Sequence, residues 1–221
     1  MSDTTVRPLQ VGILLFPGYE PLDALGPAQV FWTLGTIRKY VAPFREVDVH
    51  LVAETIDPVV AAYGFTAHPT TTYADCPALD VLIVPGGSGG TAKDTDLLGR
   101  RYYWTHEPTL EFLQRQDAGT EITASVCTGA FILAGAGLLS GCRATTHWRS
   151  RDELVTRMAE RNEPFELVNE RVVDDGRIVT AGGVSSGIAL GFHLVERLFG
   201  KEVRDVVYVA IEMETPAGTL V

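Results

Sequence analysis

The cysteine of the stretch SVCTG, residues 125–129, stands between two segments of different character. The residues before Cys127 form a short run with β-branched side chains, which predicts a strand, and a run of small apolar residues up to Gly141 predicts a helix. Small residues lie two positions before and two positions after Cys127, as a nucleophile elbow requires, because its strained backbone crowds those two positions. We therefore interpret Cys127 as a nucleophile.

The predicted helix after Cys127 would direct its free N–H groups and its positive dipole end at the sulfur. Such a field favours the thiolate over the thiol and predicts a reactive sulfur at neutral pH. The alternative is a buried structural cysteine, since free cysteines are among the most buried residues. Cys76 and Cys142 lack the strand-to-helix context, and we expect both to be structural.

Asp23, in the stretch PLDALGP, is the second candidate for chemistry. Its neighbours Leu22 and Ala24 are apolar, which predicts a poorly solvated carboxyl group that favours its protonated form. A neutral acid beside a thiolate can donate a hydrogen bond to it. The alternative is that Asp23 caps the N-terminus of a helix, a position that aspartate often occupies.

The stretch VPGGSGG, residues 84–90, follows a predicted strand. Glycines allow the backbone to approach a ligand and to turn N–H groups towards an anion. The stretch lacks the lysine of a phosphate-binding loop and the spacing of a dinucleotide site. As a pattern by itself it is more typical of a plain turn.

The histidines give no metal-site spacing. None of the five forms an HxH or HxxxH pair, and none pairs with a cysteine at ligand spacing; they are His50, His68, His106, His147 and His193. His147, in TTHW, is the tempting partner for a cysteine. A lone histidine at a strand end beside a tryptophan is more often a packed, hydrogen-bonded residue than a catalyst.

Strand-length and helix-length segments alternate along the chain, and this order predicts a doubly wound α/β sandwich with a mostly parallel, flavodoxin-like sheet. We predict strands over 10–18, 47–54 and 80–84, a pair of short strands within 58–71, strands within 171–183, and helices over 22–40, 96–116, 151–161 and 185–199. Pro27 is expected in the first turn of the first helix. In such a sheet ligands bind beyond the carboxyl ends of the strands, so Asp23, the glycine loop and Cys127 should meet at one edge.

Composition narrows the class of protein. The 221 residues, 46% of them hydrophobic, suffice for one domain over 1–221 with a flexible terminus over 1–9. The net charge of −10 argues against a nucleic-acid partner. No apolar run approaches the ~18 residues of a membrane helix, and the N-terminus has no signal pattern. Three cysteines without a CxxC pair favour a reducing, cytoplasmic location.

Four segments together resemble the ThiJ/PfpI superfamily, the cysteine-elbow relatives of class I glutamine amidotransferases, over residues 10 to 200. They are LLFPGYEPLDALGP (14–27), DVLIVPGGSGG (80–90), SVCTGAFILAGAGLLSGCRATTHW (125–148) and IVTAGGVSSGIALGFHLVERLFG (178–200). Asp23, Thr128 directly after the cysteine, and RATTHW resemble the isonitrile hydratase branch most. The peptidase and glyoxalase-like branches place histidine where this chain has Thr128. The segment 33–46 is longer than in the hydratase pattern, in a region that can change the pocket or a dimer contact.

The resemblance implies that Asp23 lies against Cys127, that the backbone of Gly86 and Gly87 lies beside the elbow as an oxyanion or substrate-binding element, and that Thr128 helps to hold the polar ends of the site. It implies a hydro-lyase that converts a small-molecule isonitrile into an N-substituted formamide through a cysteine thioimidate, with no cofactor and no metal. It also implies a homodimer, formed through the first helix, in which Phe31, Trp32 and Ile37 supply apolar surface.

Two alternatives come from other functional classes. The same thiol can serve in a redox sensor or a cysteine-based stress-protective protein, in which it is oxidised to sulfinic acid, and an exposed thiol would favour sensing. Similar domains also form the ligand-binding half of transcription regulators. We expect the segment after residue 214 to be too short for a helix-turn-helix.

Overall fold

The computed structural model describes residues 7–38, 44–87 and 103–213. The strands are β1 Leu9–Leu14, β2 Val47–Ala53, β3 Val59–Val60, β4 Thr66–Ala67, β5 Thr71–Thr72, β6 Val81–Val84, β7 Ile122–Val126, β8 Arg143–Ala144, β9 Glu166–Leu167, β10 Val172–Asp175 and β11 Ile178–Ala181. The helices are α1 Pro21–Ile37, α2 Glu107–Asp117, α3 Gly129–Gly135, α4 Arg151–Glu160, α5 Ser186–Phe199 and α6 Lys201–Ala210.

Seven of these strands form one sheet in the order β10-β11-β7-β6-β1-β2-β5. All neighbours are parallel except the antiparallel pair β10 and β11. Every residue of β6 and β7 is buried, as expected for central parallel strands covered by helices on both faces. The predicted α/β sandwich with a mostly parallel sheet is confirmed.

Helix α1 carries Asp23 and packs closely on α5. A Cβ atom at Gly191 of α5 would lie 2.9 Å from the Cβ of Val30, so this glycine sets the distance between the helices. Pro21 occupies the start of α1, whereas Pro27 lies inside the helix. The expectation that Pro27 stands in the first turn is therefore wrong. Because proline has no N–H, it cannot donate the helical hydrogen bond to the carbonyl of Asp23.

Most predicted boundaries agree with the structure to within a few residues. The segment 58–71 contains the antiparallel pair β3 and β4, and 171–183 contains β10 and β11. The first strand is shorter than predicted, and the helix after Cys127 ends at Gly135 because Gly137 adopts a φ of 77°. Edge strand β5 and helix α6 were not predicted. The first part of the predicted helix 96–116 lies outside the described residues, which begin again at 103.

Two further expectations fall partly outside the described residues. Of the predicted flexible terminus, residues 1–6 are not described, whereas Arg7 donates to Asp80 and Leu9 begins β1. Of the longer segment 33–46, residues 39–43 are not described, and Arg45 donates to Asp80 over 2.8 Å. Within the described ranges, none of the helices has both the length and the apolar character needed to span a membrane.

Candidate active site

Cys127 occupies the corner between β7 and α3 in a conformation that is rare for a residue with a side chain. Its φ is 56°, in the left-handed region. The backbone N–H of Cys127 points at two carbonyl oxygens, those of Ala181 at 3.0 Å and Gly182 at 2.7 Å. The Thr146 hydroxyl donates to the Cys127 carbonyl oxygen over 2.8 Å. Strand β11 and the chain before α4 thus hold the strained corner in place.

The glycines around the corner are required by close packing. A Cβ atom at Gly129 would overlap the carbonyl oxygen of Val84 and lie 2.9 Å from that of Pro85. A Cβ atom at Gly86 would lie 2.6 Å from both the backbone nitrogen and the hydroxyl oxygen of Thr128. The loop after β6 therefore lies directly against the chain that follows Cys127.

The glycine loop positions the other two predicted side chains. The Gly86 N–H donates to Oδ2 of Asp23 over 2.9 Å, and the Gly87 N–H donates to the Thr128 hydroxyl over 3.0 Å. Both N–H groups are therefore engaged within the protein. The structure brings Gly86 and Gly87 to the site, where they orient Asp23 and Thr128, and an oxyanion-binding role for them stays a prediction.

Asp23 is completely buried and is not the helix cap that the alternative interpretation proposed. Glu20 occupies the N-cap position of α1, and Asp23 lies in the first turn. Its Oδ1 atom has no partner with hydrogen-bond geometry, although the carboxyl group and the Cys127 thiol are close enough to shift each other's pKa. A buried oxygen without a partner is rare in proteins, and this one belongs to the carboxyl group beside the Cys127 thiol.

Burial controls the protonation of this pair. Burial raises the pKa of Asp23 to about 8, the negative charge of Glu20 adds to the rise, and the Gly86 N–H opposes it. Burial also raises the pKa of Cys127 to about 12, with a further contribution from Asp23 and an opposing one from the hydrogen-bonding groups of Thr128. A protonated Asp23 agrees with the sequence prediction. The raised pKa of Cys127 argues against the predicted thiolate at neutral pH, because burial opposes the effect of the helix N-terminus.

A cavity of about 360 Å³ opens above Cys127, whose own exposed fraction is 7%. Five lining residues were not singled out from the sequence. The full lining is Glu20, Tyr63, Gly87, Cys127, Thr128, His147, Arg149, Ser150 and Val184. Glu20 carries a sequence signal, because it precedes Asp23 by three residues at the start of the same helix.

His147 lines this cavity while making structural contacts. Its Nδ1 atom accepts a hydrogen bond from the Arg149 N–H over 3.3 Å, and a Cβ atom at Gly183 would lie 3.2 Å from its Cδ2 atom. These contacts support the interpretation of His147 as a packed, hydrogen-bonded residue. Its participation in chemistry stays a matter for experiment.

The other described cavity, of about 420 Å³, lies beside Leu9, Phe44, Arg45 and Arg197 and contains no nucleophilic side chain. It adjoins Leu9 at the amino end of β1, whereas ligands of parallel sheets bind at carboxyl ends. Within 7–38, 44–87 and 103–213, no group of three or more His, Cys, Asp or Glu side chains is arranged to hold a metal ion.

Comparison with known proteins confirms the resemblance inferred from the sequence. The chain is 39% identical over 204 residues to the isonitrile hydratase of Pseudomonas putida, covering 92% of this chain and 78% of that one. The crystal structure of a ThiJ/PfpI family protein from Pseudomonas syringae matches with a TM-score of 0.79 and 28% identity, over 99% of this chain and 84% of that one. Drosophila melanogaster DJ-1beta shares the fold, with a TM-score of 0.75 at 22% identity over 92% of this chain and 97% of that one. Residues 9–197 match the DJ-1/PfpI family, and the chain belongs to it.

Proposed function

We propose that this protein hydrates isonitriles to N-substituted formamides without a cofactor or metal ion. The observation that carries the proposal is the 39% identity to an isonitrile hydratase over 92% of the chain. The site geometry supports it, because Cys127 lines one small cavity and the buried carboxyl group of Asp23 lies next to its thiol. Hydration of an isonitrile requires a nucleophile and a proton donor at the same carbon atom.

The first step in this proposal forms a covalent bond to Cys127. The sulfur bonds to the terminal carbon of R–N≡C while Asp23 gives its proton to that carbon and takes up the thiol proton. The product is the thioimidate R–N=CH–S–Cys127, and Asp23 is again neutral. Because the thiol has a raised pKa, sulfur attack and proton transfer must occur together. Thr128 assists, since its hydrogen-bonding groups favour negative charge on the sulfur.

The second step releases the formamide. Asp23 protonates the thioimidate nitrogen and then, as a carboxylate, accepts a proton from the water molecule that adds to the carbon. The carbon–sulfur bond breaks, and the proton of the new hydroxyl group returns to the sulfur. The net reaction is R–NC plus H₂O to R–NH–CHO, with both side chains restored.

The redox-sensor alternative receives no support from the thiol's surroundings. Sensor cysteines are exposed and have low pKa values. Cys127 is only 7% exposed, and burial raises its pKa to about 12. A thiol in this state favours chemistry on a substrate that enters the cavity. The cytoplasmic location stays a prediction.

The proposal is tested with a simple aliphatic or aromatic isonitrile, with formamide quantified by chromatography and mass spectrometry. Wild-type protein treated with a chelator should form the formamide. Cys127→Ala should abolish the product, and Cys127→Ser should nearly do so, because a hydroxyl is a far weaker nucleophile. Asp23→Asn should cost on the order of 100-fold in rate. Cys142→Ala, which removes a thiol outside the cavity, is the matched control and should retain activity.

His147→Ala separates two mechanisms. We expect most activity to remain, because Asp23 supplies the acid and base functions in the proposed route. A His147 variant as inactive as Cys127→Ala, with both folded by circular dichroism, would establish a cysteine–histidine mechanism instead. Absence of formamide with every isonitrile tried would overturn the proposed function.

A further inference from the structure

Arg149 is a solvent-exposed residue that lines the cavity above Cys127. Most other arginines in the described parts of the chain form ion pairs, for example Arg7 with Asp80. Among the described residues, no carboxylate lies within ion-pair distance of Arg149. The cavity wall therefore carries a cation that forms no ion pair with a carboxylate of the described residues.

Arg149 also makes two contacts with its neighbours, one through its side chain and one through its backbone. Its guanidinium carbon lies 4.8 Å from the ring centre of Trp148, whose side chain is 63% exposed. Its backbone N–H is bound to Nδ1 of His147. A cation–π contact of this kind leaves N–H groups of the guanidinium available to donate hydrogen bonds. Two edge N–H groups match the two oxygens of a carboxylate.

Glu20, the other charged residue of the cavity wall, forms no ion pair with Arg149. Burial raises the pKa of Glu20, while the Leu22 backbone and the Tyr63 side chain lower it. The whole chain, with a net charge of −10, repels anions over long distances. Any attraction of this cavity for an anion must therefore come from Arg149 itself.

We propose that Arg149 binds a carboxylate on the substituent of the isonitrile, so that isocyano carboxylates are the preferred substrate class. This inference rests on the proposed hydratase function. The carboxylate accepts two N–H groups of Arg149 while the terminal isonitrile carbon faces Cys127. A cavity of about 360 Å³ suits a small molecule with both groups.

The kinetic test compares isocyanoacetate with methyl isocyanoacetate, which is similar in size and uncharged, and repeats the comparison with 3-isocyanopropanoate and its methyl ester. In wild type, kcat/KM should favour the carboxylate of at least one pair by roughly 3- to 10-fold, through KM, because a charge-assisted contact at a partly exposed site has this strength. Arg149→Gln should remove the preference, and Arg149→Lys should keep part of it. Arg143→Gln changes the net charge equally outside the cavity and should preserve the preference.

A binding measurement tests the carboxylate site at Arg149 without requiring turnover. Calorimetry on Cys127→Ala should show tighter binding of the carboxylate than of its ester, and raising the ionic strength should weaken that difference. Adding Arg149→Gln should abolish it. Esters hydrated as well as both carboxylates, or the same preference in Arg149→Gln, would overturn the inference and leave the hydratase function intact. If no isonitrile is hydrated, the hydratase proposal fails, and equal binding of acid and ester would overturn the Arg149 site as well.

Discussion

Asp23→Asn tests the protonation state of the site through stability, independently of turnover. The Asp23 side chain is completely buried, and burial raises the pKa from 3.8 to about 8. Between these values the unfolded carboxyl group is ionised while the folded one keeps its proton. The folded state then binds more protons than the unfolded state, so wild-type stability falls as the pH rises through this range. Above the folded pKa the contribution no longer changes.

The size of the effect follows from the two pKa values. Each pH unit well inside the window costs about 1.4 kcal/mol of unfolding free energy. From about pH 6 to about pH 8 the contribution of Asp23 should fall by about 2 kcal/mol, because the slope lessens near the folded pKa. Asparagine does not titrate, and its amide oxygen can still accept the Gly86 N–H. The stability of Asp23→Asn relative to wild type should therefore rise by about 2 kcal/mol over this range.

Urea denaturation followed by circular dichroism, at several values between about pH 6 and about pH 9, measures this difference. Asp57→Asn, a substitution at an exposed aspartate, is the control and should follow wild type with a constant offset. A constant offset for Asp23→Asn as well would refute the reasoning, because it would mean that Asp23 ionises equally in the folded and unfolded states. An offset that changes in the opposite direction would show that the fold stabilises the carboxylate.

Three further predictions address catalysis, packing and assembly. The kcat/KM for isonitriles should be level below about pH 8 and fall above it, because Asp23 loses its proton there; a rise through this pH would identify the carboxylate as the active form. Gly129→Ala should cost about 1–3 kcal/mol in urea denaturation because its Cβ atom would overlap the Val84 carbonyl, whereas Gly119→Ala, which faces open space, should cost little. We also expect a homodimer. Trp32 is 38% exposed on α1, and light scattering that gave a mass near 24.0 kDa would contradict the dimer.

The sheet was predictable because its central strands are uncharged runs rich in β-branched residues. The four residues of β6 and the five of β7 are all buried, and their sequences show uninterrupted runs without charge. The apolar surface expected of α1 was less predictable. Phe31 is fully buried and Ile37 is 8% exposed, so of the three residues expected at a dimer surface only Trp32 is substantially exposed. A sequence shows which residues are apolar, but it does not show which face of an apolar helix meets the core.

Helix α6 and the interior Pro27 show where local preference gives way to packing. The segment 201–210 contains four valines, which favour strands, yet it forms a helix whose Val207 is completely buried. Pro27 is tolerated within α1 because the helix is held against α5 over much of its length. A Cβ atom at Gly187 of α5 would touch Cδ of Pro27 at 3.2 Å. Tertiary contacts of this kind cannot be predicted from the local sequence.

The centre of the candidate site was predictable and its rim was not. Cys127, Asp23, Thr128 and the glycine loop meet because strand ends of a parallel sheet meet, which is a property of the fold class. Tyr63 and Arg149 come from irregular segments without a motif. Their positions at the cavity depend on a left-handed turn at Tyr63, with φ 63°, and on the short helical turn Trp148–Ser150.

The pKa of Cys127 depends on the relative sizes of two opposing effects, the helix N-terminus and burial. A helix N-terminus contributes about 0.3–1 kcal/mol, less than one pKa unit, whereas burial can shift a pKa by several units in the opposite direction. Helix α3 is only seven residues long, and its effect competes with both burial and the Asp23 carboxyl group. The resting site is consequently a neutral thiol beside a neutral acid. In the proposed reaction the isonitrile carbon accepts a nucleophile and a proton, and a thiol beside a neutral acid supplies both.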